Sequence, residues 1–323
     1  MRHIANEVSY ATSARGKLGQ RFIRGMENAT GRIGLIRRAQ AADIPVTGTA
    51  FWSEIMRRYG VSLDVASGTL DDIPRDGPLV VVANHPYGIL DGLVMGQILS
   101  CLRRGDFRIM AHRIFRGTPE LERVILPIDF DETTDAVRSN LATRAEALRY
   151  LSGGGAVGVF PGGTVSTAPT PFSTPADPNW RSFTAKMITR SGATVLPIYF
   201  EGSNSRLFQM ASHLNYSLRM GLMIREFYRR SDRPVRLRIG QPIPADTLAR
   251  FGNDTRGAMA FLRQSTYQLS PSSVDPDYLG FEFETRYKGR TDGGGDFRQR
   301  AGRPDGAGCD SQAPAGSAAG LPG

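Results

Sequence analysis

The sequence is short of several things, and each shortage narrows what the chain can be. Cysteine is nearly missing: Cys101 and Cys309 are the only two in 323 residues, too few for a disulfide framework and suited to a reducing compartment. No apolar run follows Met1-Arg2-His3, so no secretory leader is expected. Long apolar runs are also lacking. The nearest is Gly77 to Leu102, where Asp91 is the single formal charge, but Asn84, His85 and Pro86 inside it argue against a lipid-exposed span. No transmembrane helix is therefore expected. There is no phosphate-loop lysine pattern and no G-x-S-x-G elbow, which leaves nucleotide hydrolysis and the usual serine-hydrolase route without support. Gly153-x-Gly155-x-x-Gly158 has the letters of a dinucleotide fingerprint in the wrong setting, since it follows a helix and opens a strand. His85, His112, Asp91 and Asp129 show none of the spacings of a metal ligand set, so no metal is expected.

What is present is an ordinary globular composition, 40% hydrophobic and 22% charged, with ample length for a large α/β core. Net charge is +9, which points to an anionic partner. No helix-turn-helix, no RNP pattern and no aromatic platform accompanies the arginines, so nucleic acid is not the expected partner. Over residues 1–43, eight Arg or Lys face three acids, Glu7, Glu27 and Asp43, which accounts for +5 of the excess. Phe22, Ile23, Met26, Ile33, Leu35 and Ile36 interleave with those arginines. Residues 1–47 thus read either as a segment lying on anionic lipid or as a helix packed on its own domain.

Residues 48–287 read as the α/β unit. Strand signals fall at Val80–Val82, Phe107–Ala111, Val124–Phe130, Ala156–Phe160, Thr194–Phe200 and Val235–Ile239. Helix signals fall at Phe51–Tyr59, Ala136–Leu151, Phe183–Arg190, Leu207–Tyr228 and Asp254–Leu269, the last with Asp254 as N-cap. On the 136–151 helix, Val137, Leu141, Ala145 and Leu148 are the expected buried face. From Lys288 only Phe297 and Leu321 are large apolar residues, so a disordered tail is expected over 288–323.

The most informative stretch is Val80-Val81-Val82 running into Asn84-His85-Pro86-Tyr87-Gly88 and then Asp91. A buried strand delivers an imidazole into a turn, and a carboxylate waits in the first turn of the next helix. Such a pair suits proton transfer near neutral pH. Taken alone, His85 also fits a turn residue satisfied by hydrogen bonds. Downstream lie Val159-Phe160-Pro161-Gly162-Gly163-Thr164-Val165-Ser166 and Val195-Leu196-Pro197-Ile198-Tyr199-Phe200-Glu201-Gly202, continuing as Ser203-Asn204-Ser205-Arg206-Leu207-Phe208.

With these three boxes in this order, the sequence resembles the glycerolipid (lysophospholipid) acyltransferase family over roughly residues 70–245, most of all its hemolysin-like bacterial branch. Two departures stand out. Asp91 follows His85 by six residues rather than five, and the second box has Gly162 and Val165 where the family has Glu and Arg. The resemblance implies a mixed, mostly parallel α/β sheet flanked by helices. It implies His85 as general base on an acceptor hydroxyl, with Asp91 orienting it. Backbone N–H groups of Gly162, Gly163 and Thr164 become candidate oxyanion or acyl-donor contacts, and Arg113, Lys186 and Arg206 candidate headgroup contacts. The expected activity is fatty acyl transfer from acyl-CoA or acyl-carrier protein to a lysophospholipid or other lyso-lipid, with no resident cofactor. It would take place peripherally on the cytoplasmic face of the inner membrane, in membrane-lipid biosynthesis. The alternative is a non-catalytic lipid- or membrane-binding member of the same fold.

Overall fold

The computed structural model describes residues 9–14, 16–40, 48–71, 73–112, 118–129, 133–275 and 277–282, side chains 12, 13 and 40 excepted. Arg113 and the tail from 288 lie outside them. After a 3₁₀ turn at Tyr10–Ser13 come α1 (Lys17–Glu27) and, past a kink at Gly31, α2 (Ile33–Gln40). Then follow α3 (Thr49–Arg58), β1 (Ser62–Ser67), β2 (Leu79–Ala83), α4 (Ile89–Leu102), β3 (Arg108–His112), α5 (Pro119–Val124) and β4 (Ile125–Ile128). The second half adds α6 (Thr134–Ser152), β5 (Ala156–Val159), α7 (Phe183–Ser191), β6 (Thr194–Phe200), α8 (Arg206–Leu214), α9 (Tyr216–Arg230), β7 (Pro234–Ile239), α10 (Ala245–Ala249) and α11 (Thr255–Tyr267).

The seven strands form one sheet in the order β1-β7-β6-β2-β5-β3-β4. All neighbours are parallel except β6 and β7, where the chain reverses. This is the mixed, mostly parallel α/β sheet that the family resemblance implied. β2 is central, and its five residues Leu-Val-Val-Val-Ala are buried without exception, as a strand covered on both faces must be. Leu79, Val81 and Ala83 face the core built with α3 and α4, while Val80 and Val82 face the core built with α6, α7 and α11. The chain leaving β2 travels towards the β4 edge, and the chain leaving β5 crosses to β6 on the other side of β2. Connections that diverge in this way open a crevice at the carboxyl ends of the strands.

Three features differ from expectation. β1, where no strand signal was read, is an edge strand whose mixed polar sequence hides its pairing with β7. The helix expected over 207–228 is broken at Asn215, whose side chain caps α9 by accepting from Ser217 and Leu218 N–H. On α6 the expected apolar face is turned outward: Val137 and Leu141 are exposed, while Ala136, Thr143, Ala147 and Leu151 are buried. Small residues let this helix come close to β4, where Thr143 donates to Pro127 O at 2.8 Å and Asn140 exchanges hydrogen bonds with the Asp129 backbone. The Asp254 cap is present, accepting from Gly257 N. The N-terminal helix α1 packs on α9, burying Ile23 and Glu27, and Glu27 accepts from Ser9 Oγ and Tyr10 N.

Candidate functional site

The crevice at the end of β2 is built from the turn outward. Asn84 closes the strand by mimicking a backbone pair, donating from Nδ2 to Phe200 O (2.9 Å) and accepting Phe200 N–H at Oδ1 (2.7 Å). This ties the β2 end to the β6 end. The turn residue Gly88 has φ 81°, a backbone state that glycine reaches without strain. Helix α4 then starts, and Asp91 in its first turn accepts at Oδ2 from Tyr87 N (2.8 Å) and Gly88 N (2.9 Å).

The same oxygen lies 3.0 Å from His85 Nδ1, at ion-pair distance although the ring N–H is not in line with it. Contacts of this kind often tighten only with substrate bound. Asp91 is fully buried. Burial pushes its carboxyl above the ordinary value, opposed by the adjacent His85 imidazole and by the hydrogen bonds from Tyr87 and Gly88 N–H. The imidazole stacks on Phe160 at 4.2 Å between centroids and remains 18% exposed. Its Nε2 makes no hydrogen bond among the described residues. A partly exposed imidazole 3.0 Å from a buried acid is equipped to accept a proton from a bound hydroxyl.

Tyr87 anchors the turn from the other side. Its hydroxyl donates to Glu201 O at 2.6 Å, and burial pushes that phenol up to about 12. It therefore stays a neutral donor.

The second box follows β5. Ser166 N donates to His85 O at 2.8 Å, so this loop is bonded directly to the His85 turn. Gly163 N–H closes a turn onto Phe160 O (3.0 Å). That corrects the expectation for Gly163: in this conformation its N–H is not open to an oxyanion. The N–H groups of Gly162 and Thr164 carry no hydrogen bond among the described residues, which leaves these two as the candidate donors.

Two residues the sequence reading did not single out hold the loop. Asp177, fully buried, accepts at Oδ1 from His85 N (3.2 Å) and Ser166 Oγ (2.5 Å), and at Oδ2 from Trp180 Nε1 (2.9 Å). A Cβ on Gly162 would come within 3.3 Å of the Asp177 side chain, so the carboxylate sits directly against the loop. From behind, the buried Arg219 guanidinium donates to Thr167 Oγ1, Ser212 Oγ, Val165 O and, at 3.4 Å, Thr164 Oγ1. One signal for Asp177 was available: it is the lone acid between Glu146 and Glu201.

Among the described residues, no candidate headgroup cation is joined to the His85 turn by a described contact. Arg113 lies outside the described residues. Lys186 is exposed on α7, and no described contact joins it to the His85 turn. Arg206 donates to Phe172 O and Ser173 O, and so holds the loop that carries them. Val165, at the family's arginine position, packs with Phe208, Ala211, Leu222 and Met223.

The family model described as Acyltransferase matches residues 32–276. The chain is 25% identical over 207 residues to the lyso-glycine lipid O-acyltransferase of Phocaeicola vulgatus, covering 62% of this chain and 71% of that protein. It is 22% identical over 207 residues to the protein of the same name from Bacteroides thetaiotaomicron, covering 62% and 73%. Among solved structures it is similar to the 1-acyl-sn-glycerophosphate acyltransferase of Thermotoga maritima, at 16% identity and a TM-score of 0.43, covering 82% of this chain and 87% of that one.

Proposed function

The chain belongs to the acyltransferase family, and from that premise we propose that it moves a fatty acyl group from a thioester donor to the hydroxyl of a lyso-lipid. The observation that carries the proposal is His85 Nδ1 lying 3.0 Å from the buried Asp91 carboxylate, with Nε2 left for the acceptor. In the proposed step Nε2 takes the acceptor hydroxyl proton as the oxygen attacks the thioester carbonyl carbon. The tetrahedral oxyanion is met by Gly162 and Thr164 N–H. Collapse breaks the carbon–sulfur bond, and the leaving thiolate takes the proton back from Nε2. Asp91 keeps Nδ1 protonated and stabilises the transient imidazolium.

The acceptor we propose is a lyso-lipid without a phosphate. Gly162 and Val165 supply neither the acid nor the guanidinium of the family's second box, and Val165 is committed to apolar packing. The relatives named for lyso-glycine lipid acylation support the same class. The donor is acyl-CoA or acyl-carrier protein, and the protein works peripherally on the cytoplasmic face of the inner membrane. Among the described residues no helix is long and apolar enough to cross a membrane.

The test is purified full-length protein with acyl-CoA or acylated carrier protein and a panel of lyso-lipids, with acylated product read by mass spectrometry. Product from an amino-acid lyso-lipid is expected, and its loss in His85→Ala separates catalysis from mere lipid binding.

A further inference from the structure

Three segments meet on one side of the molecule and share a composition. They are α1 with residue 16 before it, the loop 163–175, and residues 202–225 spanning α8 and most of α9. Between Gly16 and Met26 there is no acid. The loop 163–175 has no charged residue, and residues 202–225 have no acid. Their contacts join them: Arg206 of α8 donates to Phe172 O and Ser173 O, and His213 Nε2 lies 2.9 Å from Ala168 O. α1 runs along α9, where a Cβ on Gly221 would come within 3.1 Å of Met26 and one on Gly19 would lie 3.9 Å from Ser217 Oγ.

Large apolar side chains stand out from this surface. Leu18 is 82% exposed, Phe172 76% and Leu214 68%, with Phe22, Leu207 and Met210 also exposed. Leu207, Met210 and Leu214 recur at the spacing of one helical stripe. Lys17, Arg21 and Arg206 are exposed beside them. The acids these helices meet, Glu27 and Glu226, are buried. Exposed Asp275 and Asp277 border the face on the segment whose Tyr278 hydroxyl reaches Thr174 O.

We infer that this composite face, and not the N-terminal segment alone, docks on an anionic membrane surface. Protruding leucines and phenylalanine enter the headgroup boundary while lysine and arginine meet anionic headgroups, the pattern of an interfacial element. The loop that carries Phe172 starts at the second box and is bonded to His85 through Ser166, so docking sets the crevice beside the lipid plane. The inference deepens the acyl-transfer reading, on which it rests for the acceptor being a lipid, but binding is measured without turnover.

The test is co-sedimentation of the full chain with vesicles of phosphatidylcholine, with and without phosphatidylglycerol, at low and high salt. Binding to anionic vesicles that weakens with salt is expected. Leu214→Glu and Phe172→Glu should each cut it roughly tenfold, whereas Val137→Glu and Leu141→Glu, equally apolar and exposed on α6, leave it unchanged. Unchanged far-UV circular dichroism shows that the variants fold. Wild-type protein that stays off anionic vesicles, or α6 variants that lose as much binding as the face variants, overturns the inference. So does a face that captures an acidic carrier protein and not vesicles. Failure to acylate any lyso-lipid, with vesicle binding intact, instead overturns the proposed activity.

Discussion

The corner under His85 and the face that carries Leu18, Phe172 and Leu214 share the loop 163–175 and are built in opposite ways. In the corner, two buried carboxylates organise the turn and the loop, Asp91 through its Oδ2 alone and Asp177 through both oxygens. Asp91 holds Tyr87 N, Gly88 N and the imidazole, and Asp177 holds His85 N, Ser166 Oγ and Trp180 Nε1. On the face, acids are missing and apolar groups stay uncovered. The corner should therefore fail through lost position or charge, and the face through lost affinity. A substitution in one should leave the other's readout alone.

The largest break in that comparison is His85→Ala. It should lower kcat by about 10²–10⁴ while vesicle co-sedimentation and melting temperature hold.

Asp91→Asn should lower kcat by about 10² through loss of the tautomer and of imidazolium stabilisation, yet not destabilise the fold at neutral pH. The sign follows from burial. The Asp91 carboxyl is pushed up in the folded chain, so its contribution to stability is present below the ordinary carboxyl range and lost as pH rises through the raised value. Melting curves from pH 4 to 8 should show a slope in the wild type that flattens in the variant.

Asp177→Asn sharpens the comparison from the side of position. It keeps the shape but weakens three hydrogen bonds on the His85 turn and the second box, and should lower kcat by about tenfold with little change in KM or vesicle binding. An equal loss of far-UV signal would mark it as merely structural.

Gly88→Ala puts a Cβ at positive φ, 2.5 Å from Met223 Cε. It should cost about 1–2 kcal/mol and a few degrees of melting temperature. Smallest of all, Val137→Ser on the outward face of α6 should change stability by less than about 0.5 kcal/mol.

Much of this was legible in the sequence, for definite reasons. β2, β5 and β6 are apolar runs bounded by turn formers, and a strand buried on both faces has no other pattern to show. The His85–Asp91 pair was visible because both partners sit within one strand–turn–helix. What stayed hidden was set by tertiary contact. Asp177 reaches His85 across 92 residues, and nothing in its proline-rich surroundings announces the partner. Gly163 looked like an open donor until its turn onto Phe160 was seen. Val137 and Leu141 misled because the approach of α6 to β4 selects small residues, not large ones. Arg206 looked like a headgroup ligand, but its guanidinium fastens the Phe172 loop. The amphipathic N-terminus was readable, yet its extension into α8 depends on which helices lie side by side.

The central claim is that His85 takes the acceptor's proton, and one measurement reaches it most directly. Pre-steady-state thioester cleavage is followed with a lyso-lipid acceptor, comparing wild type with His85→Ala at matched folding. Acceptor-dependent thiol release in the wild type that falls at least a hundredfold in the variant is the predicted result. Thiol release at nearly the wild-type rate from the His85→Ala protein would contradict it.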